Sequence, residues 1–246
     1  MKKWIYLGLG VLFIAVAVSI TLSFTSRAKN YEAKGERAYV AGQYDIALKY
    51  FDKAIASNPN LAVAYNDRAM VCIAVGQYDA AVSDLNKAIQ LDPQLSSSYN
   101  NLGLISYNQG EYEMAISYFS KTIELDPKNA GAHGNRGAAY RRLQQYDLAV
   151  DDLNKAIELD PAYTNAYNNL GLVYFEEKDY SQAISCFSQS ITLDPKNPQF
   201  YSNRGTIYME TGETELAKGD FNKVLSLTTD PTLVQNAQAN LSELGQ

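Results

Sequence analysis

Along residues 28–231 small and apolar residues recur with a helical spacing that is itself repeated every 34 residues. Within each stretch, positions 4, 7, 8 and 11 follow the i, i+3, i+4, i+7 rhythm of one helix face, and positions 20, 24 and 27 mark a second helix. Each stretch therefore reads as two short helices joined by a turn. Prolines at 59, 93, 127, 161 and 195 set the period, since each restricts the residue before it and ends the second helix. Glycines at 42, 76, 110 and 212 stand where the first helix needs a left-handed residue to stop. Gln144 and Lys178 occupy that place in two stretches, which predicts the same turn at a small cost in strain.

Taking the proline as position 32 divides the chain into six units, residues 28–61, 62–95, 96–129, 130–163, 164–197 and 198–231. Position 20 is alanine in all six, and position 8 is Gly35, Ala69, Gly103, Gly137, Gly171 and Gly205, small residues that let two helices approach closely. Tyrosine recurs at positions 4, 11 and 17, which assigns thirteen of the nineteen tyrosines to packing, Tyr44 and Tyr78 among them. His133 and the two cysteines, Cys72 and Cys186, also fall at packing positions. Residues 232–246 carry apolar side chains at Leu233, Val234, Ala237, Leu241 and Leu244, a stripe suited to a capping helix. No such cap precedes Tyr31.

The period, the small position 8, the aromatic position 17, the alanine at 20 and the proline at 32 resemble the tetratricopeptide repeat family. The resemblance covers residues 28–231 and implies an all-α fold, a right-handed α-solenoid of six helix-turn-helix repeats plus a C-terminal capping helix. It also implies that first-helix positions 2, 5, 6, 9, 12 and 13 line a concave groove that takes other proteins or peptide segments. Position 6 there is Asp67, Asn101, Asn135, Asn169 and Asn203, and position 5 adds Asn66, Asn100 and Asn168. An amide offers both a donor and an acceptor, so such a ladder can bracket the backbone of an extended peptide. Leu104, Tyr107, Leu172 and Phe175 lie between the amides, while Arg141 and Arg142 make a local basic spot. The competing reading is a solvated polar helix face with no ligand. Lysine and arginine are otherwise sparse at these positions, which disfavours a clamp for acidic peptide tails.

Superposed on the 34-residue period is one of twice that length. Arg68, Arg136 and Arg204 stand at position 7 of alternate units, whose position 23 is Asp84, Asp152 and Asp220; the intervening units have Leu102 and Leu170 with Tyr118 and Cys186. Position 25 alternates too, Asn86, Asn154 and Asn222 against Ser120 and Ser188. The pattern predicts structural ion pairs between the two helices of each arginine-bearing unit.

Ahead of the repeats, residues 4–24 carry no charge, and as a helix would reach about 31 Å, one hydrocarbon core. Lys2 and Lys3 precede them, and Trp4 and Tyr6 suit a membrane interface. The preferred reading is one transmembrane helix, a signal-anchor over residues 1–27; the alternative is a cleaved signal peptide. With the short basic leader kept in the cytoplasm, the repeats are expected to be extracytoplasmic, periplasmic or lumenal.

Charge and composition narrow the chemistry. Residues 28–246 hold 18 Lys plus Arg against 27 Asp plus Glu, the wrong sign for nucleic acid. One histidine and two distant cysteines exclude zinc-finger and haem-attachment motifs, and no phosphate loop or nucleophile motif is present. The sequence thus predicts a non-catalytic, membrane-anchored scaffold needing no cofactor or metal. Rival readings are a self-assembling homo-oligomer and an accessory subunit that recruits substrates to an envelope enzyme.

Overall fold

The computed structural model describes residues 25–245, so the apolar segment 4–24 lies outside the described residues. Among the described residues every regular element is helical, and none is long and apolar enough to cross a membrane. The helices are α1 (described over 25–40), α2 (Tyr44–Ser57), α3 (Ala62–Ala74), α4 (Tyr78–Leu91), α5 (Ser96–Asn108), α6 (Tyr112–Leu125) and α7 (Ala130–Arg142). They continue with α8 (Tyr146–Leu159), α9 (Thr164–Glu176), α10 (Tyr180–Leu193), α11 (Pro198–Glu210), α12 (Thr214–Leu227) and α13 (Pro231–Glu243). Two compact units result, one ending at Ile105 and the other starting at Ser106, with the boundary inside α5.

Every first helix stops in the same way. In α1, Gly42 donates to the Tyr39 carbonyl at 2.9 Å and Gln43 to the Ala38 carbonyl at 2.8 Å. This pair of bonds, with a left-handed residue at its centre, satisfies the last carbonyls of the helix. Gly42, Gly76, Gly110 and Gly212 have φ of 70°, 78°, 82° and 79° there. Gln144 and Lys178 take up the same conformation, at φ 59° and 64°, and make the same bonds. The second helices end where Asn58, Asp92 and Asp160, each preceding a proline, turn extended. Tyrosine hydroxyls then fasten the turn: Tyr65, Tyr99 and Tyr201 donate to the carbonyls of Pro59, Pro93 and Pro195 at 3.3, 3.4 and 3.2 Å.

In the first unit the core gathers Ala38, Ala47, Phe51 and Val71, with Tyr39 and Leu48 against it. Phe51 packs on Gly35, where an added Cβ would stand 2.6 Å from the ring. In the second unit Phe187 and Phe221 meet Gly171 and Gly205 in the same way, and Leu153 meets Gly137. Position 8 is small because the large side chain at position 24 of the facing helix takes its volume. Helix α13 packs on α12 and α11, bringing Leu233, Leu241 and Leu244 against the buried cluster of Tyr201, Phe221, Val224 and Ala237. Asp230 caps it by accepting from the Thr232 and Leu233 amides at 3.0 Å each.

The tyrosines divide more finely than the packing pattern suggests. Tyr44 and Tyr78 are 36% and 41% exposed. Tyr44 still rests against Tyr39, ring centroids 5.9 Å apart, on the outer side of the turn. At the outer edge of the first hairpin, Tyr31 and Tyr50 stack at 6.3 Å, flanked by Lys34 and Lys53 ammonium groups 5.6 to 5.9 Å from the ring centroids. Cation–π contacts thus join α1 to α2 at this place.

Candidate functional site

The alternating arginines sit midway between two partners. Arg68 Nε and Nη2 donate to both oxygens of Asp84 at 2.7 Å, while Nη1 donates to Asp52 at 2.7 Å. Arg204 repeats this with Asp220, at 2.8 Å twice, and with Ser188 Oγ at 2.9 Å. Each guanidinium thus spends its fork on the aspartate of its own hairpin and its third nitrogen on the preceding hairpin. Hydrogen bonding to the aspartates drives the pKa of Arg68, Arg136 and Arg204 further up, overcoming the opposing effect of burial. The serines of the double-length period are therefore the acceptors between hairpins, and Asp52 takes that part in the first unit.

The asparagine row is partly spent on itself. Asn101 Nδ2 donates to Asn66 Oδ1 at 3.1 Å, Ser98 Oγ adds a second bond to that oxygen at 3.1 Å, and Asn66, Ser98 and Asn101 are buried. Asn203 Nδ2 likewise donates to Asn168 Oδ1 at 2.9 Å. Both pairs join position 5 of one hairpin to position 6 of the next, struts made by residues 35 apart. Asn169 Nδ2 bonds back to the Asn165 carbonyl at 3.0 Å. Asn135, Asn168, Asn169 and Asn203 are half-buried, as are Leu104, Tyr107, Leu172 and Phe175, so those side chains still meet solvent on the first-helix face. Asn100 is also half-buried, and its Oδ1 is buried without a hydrogen-bond partner.

Arg141 and Arg142 part company. Arg141 Nη1 donates to Glu176 Oε1 on α9, leaving Nε buried and unpartnered. Arg142 lies over the Tyr112 ring, 5.1 Å from its centroid. With Gln144, Tyr146 and Glu176 the two arginines line an open cavity of about 380 Å³. Glu176 already neutralises one of the two cations, so the basic spot is weaker than its sequence suggests.

Two carboxylates that periodicity does not single out join Asp67 of the position-6 row in the first unit: oxygens of Glu32, Glu36 and Asp67 lie within 4.8 Å of one another. Burial pushes Asp67 up to about 7, a hydrogen bond from Asn66 pulls the other way, and the charges of Glu32 and Glu36 add to the rise. Burial, then Glu36, also raises Glu32. Elsewhere the reactive side chains are in quiet surroundings. Burial raises the Cys72 thiol and carries Cys186 up to about 11, far from a thiolate at neutral pH. His133 is a buried ring whose Nδ1 stands 3.1 Å from Asp152 Oδ1.

Comparison with known proteins fits this geometry. A profile of the TPR repeat matches residues 69–110 and 137–177, and one of the tetratricopeptide repeat matches 96–129 and 164–197. A second tetratricopeptide repeat profile matches 50–83, 118–151 and 186–219. A search of curated protein sequences gave no match. Among solved structures, a chain of the APC/C hetero-tetramer Cut9–Hcn1 superposes with a TM-score of 0.81 at 19% identity, over 93% of this chain and 46% of that one. The present chain thus spans under half the length of that relative. PilW, described as a type IV pilus biogenesis factor, gives 0.78 at 17% identity over 87% of this chain and 98% of its own. YrrB, described as a TPR protein with an unusual peptide-binding site, gives 0.57 at 25% identity over 77% and 97%.

Proposed function

The chain belongs to the tetratricopeptide repeat family, and on that premise we propose that it is a non-catalytic scaffold that holds extended protein segments on its first-helix face beside a membrane. The observation that carries the reading is the pair of half-buried amides at Asn135 and Asn169, flanked by Leu172 and Phe175. Amides there present paired donors and acceptors to a peptide backbone, and the apolar neighbours accept its side chains. Asn66 and Asn101, buried and bonded to each other, act instead as struts that hold two hairpins in register.

In this reading residues 1–27 are the membrane anchor, residues 28–231 the six repeats and residues 232–246 the cap, with the repeats on the non-cytoplasmic side. The charge-free run 4–24 behind Lys2 and Lys3 supports the anchor and its orientation. The likeness to PilW, a pilus biogenesis factor, makes assembly of an envelope complex a natural setting. The output is assembly rather than turnover.

Replacing Asn135 and Asn169 together by alanine should strip co-purifying partners from the detergent-extracted chain while leaving its helical circular dichroism unchanged. Retention of every partner would show this face idle. A reporter fused after Gln246 and active on one side of the membrane reads the orientation: a cytoplasmic signal would overturn the envelope setting.

A further inference from the structure

Within the first unit, lined from the first helices α1 and α3 and from Phe51 of α2, lies a cavity of about 360 Å³ bounded by Glu36, Tyr39, Val40, Phe51, Asp67 and Met70. Its walls are chiefly apolar: the Tyr39 and Phe51 rings, the Met70 thioether and Val40, which is 85% exposed. Its polar end is anionic. Glu36 is exposed, Asp67 half-buried, and Glu32 stands with them in the cluster of carboxylates within 4.8 Å. Asn66 Nδ2 donates to Asp67 Oδ1 at 3.2 Å, but Asp67 Oδ2 is buried with no hydrogen-bond partner among the described residues.

We propose that this cavity is a specificity pocket for a lysine or arginine side chain of the bound peptide segment. The shape suits a long aliphatic stem with a cationic head: methylenes run along Tyr39, Phe51 and Met70, and the head reaches the carboxylates. A guanidinium has donors enough for two carboxylates at once. An apolar side chain would fill the walls but leave the carboxylates crowded against one another. An acidic one would add a further negative charge.

Charge complementarity therefore selects the occupant. Of the neighbouring groups, Lys29 acts on Glu32 from the same helix and partly offsets the cluster, while Asn66 donates to Asp67. The raised Asp67 carboxyl supports the assignment, because a bound cation stabilises its ionised form and releases a proton.

The inference rests on the first-helix face being the peptide-binding face, and one experiment separates the two. Fluorescein-labelled Gly/Ser dodecapeptides, with leucine on each side of a central arginine, norleucine or glutamate, are titrated against the full-length chain in neutral detergent with EDTA. The arginine peptide should bind roughly tenfold more tightly than the norleucine peptide, the difference that charge-assisted hydrogen bonds supply. The glutamate peptide should bind more weakly than either. Glu36→Gln with Asp67→Asn should abolish the arginine preference and leave norleucine binding as it was, with melting curves confirming the fold. Glu36→Gln alone, at an exposed residue, should reduce the preference. Calorimetry at pH 6 in two buffers of different ionisation heat should show proton release for the arginine peptide. Equal binding of arginine and norleucine peptides, or a preference that survives the double variant, would overturn the pocket and leave the groove standing. No binding by any of the peptides would overturn both.

Discussion

Arg136 Nε and Nη2 hold both oxygens of Asp152, at 2.6 and 2.8 Å, while Nη1 reaches back to Ser120 Oγ at 3.0 Å. The bidentate pair is largely buried, with 20% and 9% of its side chains exposed, so its worth depends on both partners being present. Asp152→Asn should destabilise the chain by about 3 kcal/mol, because the guanidinium is then buried without its counter-charge. Pairing Arg136→Leu with Asp152→Tyr reproduces the Leu102 and Tyr118 of the preceding unit and should recover much of that loss. Urea unfolding of Arg136→Leu, Asp152→Tyr and the double measures the coupling; strictly additive losses would mean that the pair does no more than coexist.

The serine arm is a separate matter. Ser188→Ala leaves Arg204 bound to Asp220 but removes the acceptor in the preceding hairpin, and should cost about 1.5 kcal/mol, as for a hydrogen bond to a charged group. Ser120→Ala should cost a similar amount, since Ser120 Oγ accepts from Arg136 in the same way. By contrast Asn154→Ala, at the matching position of an arginine-bearing unit, should be close to neutral. Equal effects at Ser188 and Asn154 would remove the inter-hairpin arm.

How much of this was legible in the sequence depends on how each feature repeats. Helices, turns and the small position 8 recur in every unit, so periodicity exposes them. The arginine–aspartate alternation was visible as a rhythm, and so was the serine at position 25, yet nothing in one dimension says that Ser120 lies within reach of Arg136 in the next hairpin. The asparagines are the converse case: their regular spacing suggests a ladder facing a ligand, and it does not disclose that Asn66 with Asn101 and Asn168 with Asn203 are bonded across hairpins. Two residues 35 apart occupy adjacent positions on successive helices, an offset that counting in units of 34 hides. The carboxylate cluster had half a signal, Glu32 and Glu36 at i, i+4, but Asp67 joins them only through packing of the first two hairpins.

Lys178 and Gln144 hold φ of 64° and 59°, where a side chain costs about 1 kcal/mol and glycine costs nothing. Both are exposed, so replacement disturbs no packing. Lys178→Gly should therefore leave stability unchanged or raise it by up to about 1 kcal/mol, the relief of strain being partly offset by glycine's greater freedom when unfolded. Glycine at an exposed site inside a helix, Gln189→Gly on α10, should instead lose about 1 kcal/mol. Thermal melts of the two variants distinguish them; destabilisation of equal size at both sites would refute the left-handed assignment.

Gly171 faces Phe187 so closely that an added Cβ would stand 2.9 Å from the ring. Gly171→Ala should cost about 1 to 3 kcal/mol through overpacking. The second hairpin already carries the remedy, Ala69 at the same position with Leu85 as the large residue of its facing helix. Adding Phe187→Leu to Gly171→Ala should thus restore part of the loss, although Phe187→Leu alone is destabilising. A double variant worse than the sum of its parts would show that the two sites are not in steric competition.

Asp67 gives the fold a pH dependence of definite sign. Its carboxyl is pushed up to about 7 in the folded chain, chiefly because burial disfavours the charge, from an ordinary value of 3.8. A raised acid favours the folded state while protonated in both states, and that contribution is lost as pH climbs from about 4 through 7. The wild-type chain should therefore lose stability between pH 5 and pH 8 relative to Asp67→Asn, which carries no titrating group at that place. Glu32 is raised in the same direction and Glu36 contributes to both shifts, so Glu36→Gln should reduce the wild-type slope without removing it. Urea midpoints at pH 5, 6, 7 and 8 for the three proteins provide the comparison. Parallel profiles for wild type and Asp67→Asn would mean that the carboxylate is ionised at little cost, and the crowding of charge in the first unit's cavity would then exert no force on what binds there.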